Sequence, residues 1–168
     1  QVQGWLLTNF DPQHLSNVLW SYAKLAVKDS VLFEAAADEI VKRGVDYLSR
    51  TPQNFSNTVW AYGVVNIRPH HLMSAIEQYL TSSTGFFDKL TEMRPLGKSS
   101  RAQLAMTVLS LHRLGLSSVA WHLFDQISRE GLQAGGEAYC NMLLIAGDTR
   151  DSKREIDVFE QMARTAHT

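Results

Sequence analysis

The chain has 168 residues, 45% of them apolar, which suits a folded domain of ordinary size and excludes disorder as its main state. Sixteen Lys and Arg face seventeen Asp and Glu, a formal net charge of −1, so no overall basic excess is available for gripping phosphates. The one cysteine, Cys140, excludes an internal disulfide, and no apolar run approaches the roughly 18 residues that a membrane-spanning helix requires.

Residues 1–9 read as the end of a preceding element, and the chain as a piece of a longer protein whose targeting segment lies elsewhere. A repeat then appears. Asp11-Pro12-Gln13-His14-Leu15-Ser16-Asn17-Val18-Leu19-Trp20-Ser21-Tyr22 returns as Thr51-Pro52-Gln53-Asn54-Phe55-Ser56-Asn57-Thr58-Val59-Trp60-Ala61-Tyr62, with Pro, Gln, Ser, Asn, Trp and Tyr in register. Asp11 and Thr51 suit N-caps, and Pro12 and Pro52 suit first helical positions, where a missing N–H costs nothing. Leu15, Val18, Leu19, Tyr22 and Leu25 form an apolar stripe at helical spacing. A second helix starts at Asp29 or Ser30, runs through Phe33, Ala37 and Ile40, and stops at Gly44. In the second copy Pro69 opens the partner helix through Leu72, Ile76 and Leu80. Each copy is a hairpin that cannot bury both of its faces alone.

A short amphipathic piece follows around Phe86–Met93, then a breaker-rich link over residues 94–100. Ser100 with Gln103 reads as a capping box for the next helix, which ends at Gly115. Ser117 reads as the cap of the helix that runs to Gly131. Further helices are expected over about Glu137–Ala146 and Asp151–Thr165. A second period relates Leu123-Phe124-Asp125-Gln126-Ile127 to Val158-Phe159-Glu160-Gln161-Met162. The expected fold is all-α, a right-handed α-solenoid of stacked helix–turn–helix repeats. Residues 10–93 and 101–168 carry the two repeat types, and residues 94–100 form a kink within one continuous stack.

The residues around Pro12 and Pro52 resemble the octotricopeptide-like helical repeats of organellar RNA-associated proteins, over residues 10–84. Residues 101–165 resemble pentatricopeptide repeats, with Gly115, Ala120, Leu123, Phe124, Gly131, Tyr139, Phe159 and Met162 at signature places. The resemblance implies a mitochondrial or chloroplast protein. It implies RNA (mRNA or rRNA), protein subunits of a large organellar complex such as a ribosome or membrane complex, or both, as partners. In pentatricopeptide repeats paired positions read a base. Here they hold Ala105 and Gly135, which make no side-chain hydrogen bonds to a base edge. Cys140 holds the next such position.

Gln13, Ser16, Asn17, Trp20 and Lys24 share one helical stripe, repeated by Gln53, Ser56, Asn57 and Trp60. One reading makes it an RNA-facing strip carried by Gln13, Asn17, Lys24, Lys28, Gln53 and Asn57, with indoles stacking on bases. The other packs repeat against repeat, and Trp20, Tyr22, Trp60, Tyr62, Phe124, Tyr139 and Phe159 are assigned to that role. Lys24, Lys28, Lys42, Arg43 and Arg50 form a local basic group able to meet phosphate. Adjacent His70 and His71 point about 100° apart on a helix and make no metal pair. Gly135-Gly136 is a hairpin link rather than a phosphate loop, and Cys140 is expected to be packed. No cofactor, metal or catalytic residue is expected, and the chain reads as a non-enzyme.

Overall fold

The computed structural model describes residues 7, 9–82, 85–92 and 97–165, and these are helical with no strand among them. The helices are α1 Pro12–Lys24, α2 Ser30–Arg43, α3 Pro52–Val65, α4 His70–Ser82, α5 Gly85–Thr91, α6 Lys98–Arg113, α7 Ser117–Arg129, α8 Gly136–Thr149 and α9 Ser152–Thr165, with a 3₁₀ helix at Val45–Arg50. Among the described residues no helix is long and apolar enough to cross a membrane.

Packing follows chain order. Helix α1 lies on α3, α3 on α6 and α6 on α8; α2 lies on α4, α4 on α7, and α9 on α8. Pro12 and Pro52 hold equivalent places: each occupies the first turn, behind an Asp11 carboxylate accepting from His14 N at 2.8 Å and a Thr51 hydroxyl accepting from Asn54 N at 3.4 Å. The core runs between the two helical layers, through Leu15, Leu19, Phe33, Phe55, Tyr62, Leu72, Leu104, Leu111, Phe124 and Met142. Gly44 and Gly115, at φ +87° and +86°, turn the chain where a Cβ would be strained.

Several local expectations shift. Leu25 is 73% exposed, because α1 ends at Lys24 and Leu25 has already left the helical face. Ser16 and Ala23 take its place in the buried stripe. Helix α6 begins at Lys98 behind Gly97, so residues 98–100 are helix rather than link and Ser100 is a buried first-turn residue, not a cap. Gln103 donates instead to Ser99 Oγ at 3.4 Å. Ser117 is the first residue of α7, behind Leu116, and its hydroxyl meets His112 rather than its own helix. Met93 and residues 94–96, like residues 1–6, lie outside the described residues.

The 3₁₀ helix was not legible as an element of its own. It occupies the link between α2 and α3, burying Val45, Leu48 and Ser49. The Ser49 hydroxyl meets the Tyr79 hydroxyl, and Lys89 Nζ donates to Ser49 O at 2.7 Å, so α4 and α5 are tied to this link. Arg43 closes the same region from inside: it donates to Glu39, to Tyr47 Oη at 2.6 Å, and to Phe10 O at 2.7 Å. At the other end, Arg154 reaches from α9 to both carboxylate oxygens of Asp125 at 2.8 and 2.7 Å, with its guanidinium 4.7 Å from the Trp121 ring centre. Both contacts come from one nitrogen, Nη1, and such charge-assisted hydrogen bonds are stronger than neutral ones.

Tyr62 is fully buried between α2 and α3, edge-on to Phe33, and its hydroxyl donates to Phe33 O at 2.8 Å. Burial, reinforced by Glu34 and Asp38, raises the Tyr62 pKa well above the ordinary tyrosine value. The unfolded chain therefore releases this proton first as pH rises, so the stabilisation is complete below about pH 10 and is lost above it. Tyr62→Phe should cost about 1 kcal/mol at neutral pH through the lost hydrogen bond. It should also flatten the alkaline fall in stability, by up to about 1.4 kcal/mol per pH unit, in urea titrations at rising pH.

Candidate nucleic-acid interface

The side of the first-helix layer that faces away from α2, α4 and α7 is a surface ordered by helical geometry. In α6, Leu104, Val108 and Leu111 point inward, which sends Ala102, Met106, Leu109 and Arg113 outward. The same spacing selects Gln13, Asn17, Trp20 and Lys24 on α1, and Gln53, Asn57, Trp60 and Val64 on α3. On α8 the outward set is Glu137, Cys140, Leu144 and Asp148. Because these helices pack in sequence, the sets follow one another across the surface: Gln13, Gln53, Ala102 and Glu137 come first, the large apolar Trp20, Trp60, Leu109 and Leu144 third, and Lys24, Val64, Arg113 and Asp148 at the C-terminal end.

The residues assigned to RNA contact occupy this surface on α1 and α3. Gln13, Asn17, Lys24 and Gln53 are exposed, and Asn57 is half-buried. Lys28 is also exposed but sits in the α1–α2 turn, off the helical face. Trp20, 38% exposed, lies 6.1 Å from the partly buried Trp60, ring centre to ring centre, with the planes inclined at 34°. Lys24 Nζ is 5.8 Å from the Trp20 ring centre. The indoles thus touch across successive first helices and also present ring surface to solvent. Ser16 does not join them outside: it is buried, its hydroxyl 3.3 Å from Asn54 Oδ1 and 3.1 Å from Gln13 O.

The other assignments divide. Tyr62, Phe124 and Tyr139 are buried, Phe124 standing edge-on to Tyr139 at 5.4 Å, and Tyr22 is partly buried against the core. Phe159 is the exception. It is 59% exposed, because Val158 takes the inward face of α9 and Phe159 points where no described element packs. Cys140 is exposed as well, not packed, since it stands in the outward set of α8. The basic group breaks up: Lys42 lies 3.8 Å from Glu39, Arg43 is spent on the internal contacts above, and Arg50 rests 5.6 Å from the Tyr47 ring centre. Lys24 remains on the candidate surface, with Lys28 exposed in the turn that follows α1.

Sequence reasoning missed the continuation of the surface onto α6 and α8, although the outward spacing on α1 would have found Met106, Leu109 and Arg113. It also missed a side-chain line joining three helices. His112 Nδ1 is 2.9 Å from Ser117 Oγ and His112 Nε2 is 3.0 Å from Asp148 Oδ2, which ties the end of α6 and the start of α7 to α8. Asn141, next to the expected base-reading position, donates from Nδ2 to Ala105 O at 2.8 Å and so joins α8 to α6. Among the described residues no cluster of His, Cys, Asp or Glu could hold a metal ion.

No family model matches the chain, and no curated protein or solved structure matches it. Both ring nitrogens of His112 are engaged, so His112→Ala removes two tethers of a half-buried side chain. It should lower unfolding free energy by about 1–2 kcal/mol, measured by urea titration, while Asp148→Asn, at an exposed carboxylate, should cost less than about 1 kcal/mol.

Proposed function

We propose that the chain is a segment of a right-handed α-solenoid of helix–turn–helix repeats that associates, without catalysis, with organellar RNA through the outward faces of α1 and α3. The packing of first helix on first helix and second on second supports the stacked-repeat reading. The organelle comes from the repeat resemblance alone.

The observation that carries the RNA reading is the Trp20–Trp60 pair, offering ring surface beside Lys24 and between exposed amides. A large aromatic left at the surface, beside a cation and below a row of Gln and Asn, suits a single strand. Bases stack on the indoles, amides meet base edges, and the ammonium meets phosphate. Reading is confined to α1 and α3, because α6 and α8 present Ala102, Met106, Glu137 and Cys140 at the places where α1 and α3 carry Gln and Asn. A second reading, an architectural subunit of a large organellar assembly, is favoured by the exposed Val64 and Leu144 on the same surface.

Fluorescence anisotropy with labelled single-stranded RNA tests the first reading. Trp20→Ala should weaken binding by about 1–3 kcal/mol, the usual worth of one stacked base. Lys24→Ala with Lys28→Ala should reduce the slope of log K against log salt by about 1 to 1.5. Affinity indifferent to salt and to all three substitutions removes RNA from this surface and leaves the architectural reading.

A further inference from the structure

Where α3, α6 and α8 meet, the outward surface sinks into a groove of about 470 Å³. Its floor is aliphatic. Gly63 contributes no side chain and lets α6 come close, so that a Cβ placed there would lie 3.5 Å from Ser110 Cβ. Leu109 lines one side, and Leu144, 49% exposed, lines the other. The rim is basic. Arg68 is oriented by Asn66, whose Oδ1 accepts from Arg68 Nε at 2.9 Å, and its guanidinium reaches to the Gly115 turn, 3.7 Å from a Cβ placed there. Arg113 stands exposed at the last turn of α6. The acid on the rim, Asp148, already faces His112.

We propose that this groove docks an acidic peptide segment of a partner protein, with one aliphatic anchor side chain seated between Leu109 and Leu144 and flanking carboxylates on Arg68 and Arg113. Charge complementarity selects that occupant. Guanidinium groups match carboxylates in paired geometry, and two leucines over a glycine offer a place for a branched aliphatic group. A nucleotide finds less here: the ring that lines the groove, the His112 imidazole, has both nitrogens engaged by Ser117 and Asp148, and the Asn66 oxygen is engaged by Arg68. The inference gives the architectural reading a partner of defined chemistry, and it does not depend on RNA contact at α1 and α3.

The test uses a fluorescein-labelled synthetic peptide carrying leucines at i and i+4 between aspartates and glutamates, titrated with the full chain in anisotropy. Saturable binding is expected, weakened about tenfold, the size of a modest interface hot spot, by Arg113→Glu and by Leu144→Asp. Lysines in place of the peptide's acids should abolish it, and Trp20→Ala, which tests the RNA surface, should leave it unchanged. Arg113 is exposed, so its variant decides the matter even if Leu144→Asp loses helical circular dichroism. Absence of saturable binding, or binding indifferent to Arg113→Glu, overturns the proposal. Displacement of the peptide by oligouridylate with the same dependence on Arg113 overturns it in favour of a phosphate site.

Discussion

The arrangement depends on how closely the first helices approach one another, and small side chains set that distance. Ser16 and Ser56 are buried on α1 and α3, and Thr107 and Ser110 on α6. Thr107 Oγ1 donates to Gln103 O at 2.8 Å and lies 2.8 Å from the Ser56 hydroxyl, from which it can accept, so the hydroxyls between α3 and α6 are paired rather than stranded. A buried hydroxyl left unpaired would cost about 1–3 kcal/mol. The polar seam therefore favours one register, in which Ser56 meets Thr107 and Gly63 meets Ser110. With larger residues in the seam the helices would separate, and the outward rows would lose their alignment.

That register gives the surface its order. Where α3 meets α6 the outward face passes from the first half of the chain to the second, and the link from α2 to α3 holds the 3₁₀ helix whereas α7 passes to α8 without one. The rows continue across the junction while their chemistry changes, from Trp20 and Trp60 to Leu109 and Leu144, and from Asn17 and Asn57 to Met106 and Cys140. One scaffold thus presents an aromatic, amide-bearing half and an aliphatic half with an arginine rim. A chain of near-neutral charge can hold both, because local placement rather than total charge sets the potential that a ligand meets.

Much of this was legible in the sequence. The Pro12 and Pro52 segments, their caps and the glycine stops mark helices through backbone rules that tertiary context did not override. The burial of Tyr62 and Phe124 followed from periodicity. What escaped depends on contacts between segments distant in sequence. Ser16 belongs to the buried seam only because α3 lies against α1. Arg43 looks like a surface cation until Phe10 O and Tyr47 surround it. Phe159 matches Phe124 in the repeat, yet packing differs because α7 has neighbours on a side where α9 meets no described element. The Val45–Arg50 segment has no helical period and is ordered by contacts with Tyr79 and Lys89.

The most direct measurement is a cross-link through the seam. With Cys140 replaced by Ser, Gly63→Cys and Ser110→Cys would bring two Cβ atoms to 3.5 Å, at the near edge of the roughly 3.5–4.5 Å range that a disulfide requires. Mild oxidation should join them in the folded protein and raise its thermal midpoint. Two thiols that stay free and freely alkylated in the folded chain would show that α3 and α6 do not pack in this register, and the rows across the outward face would go with it.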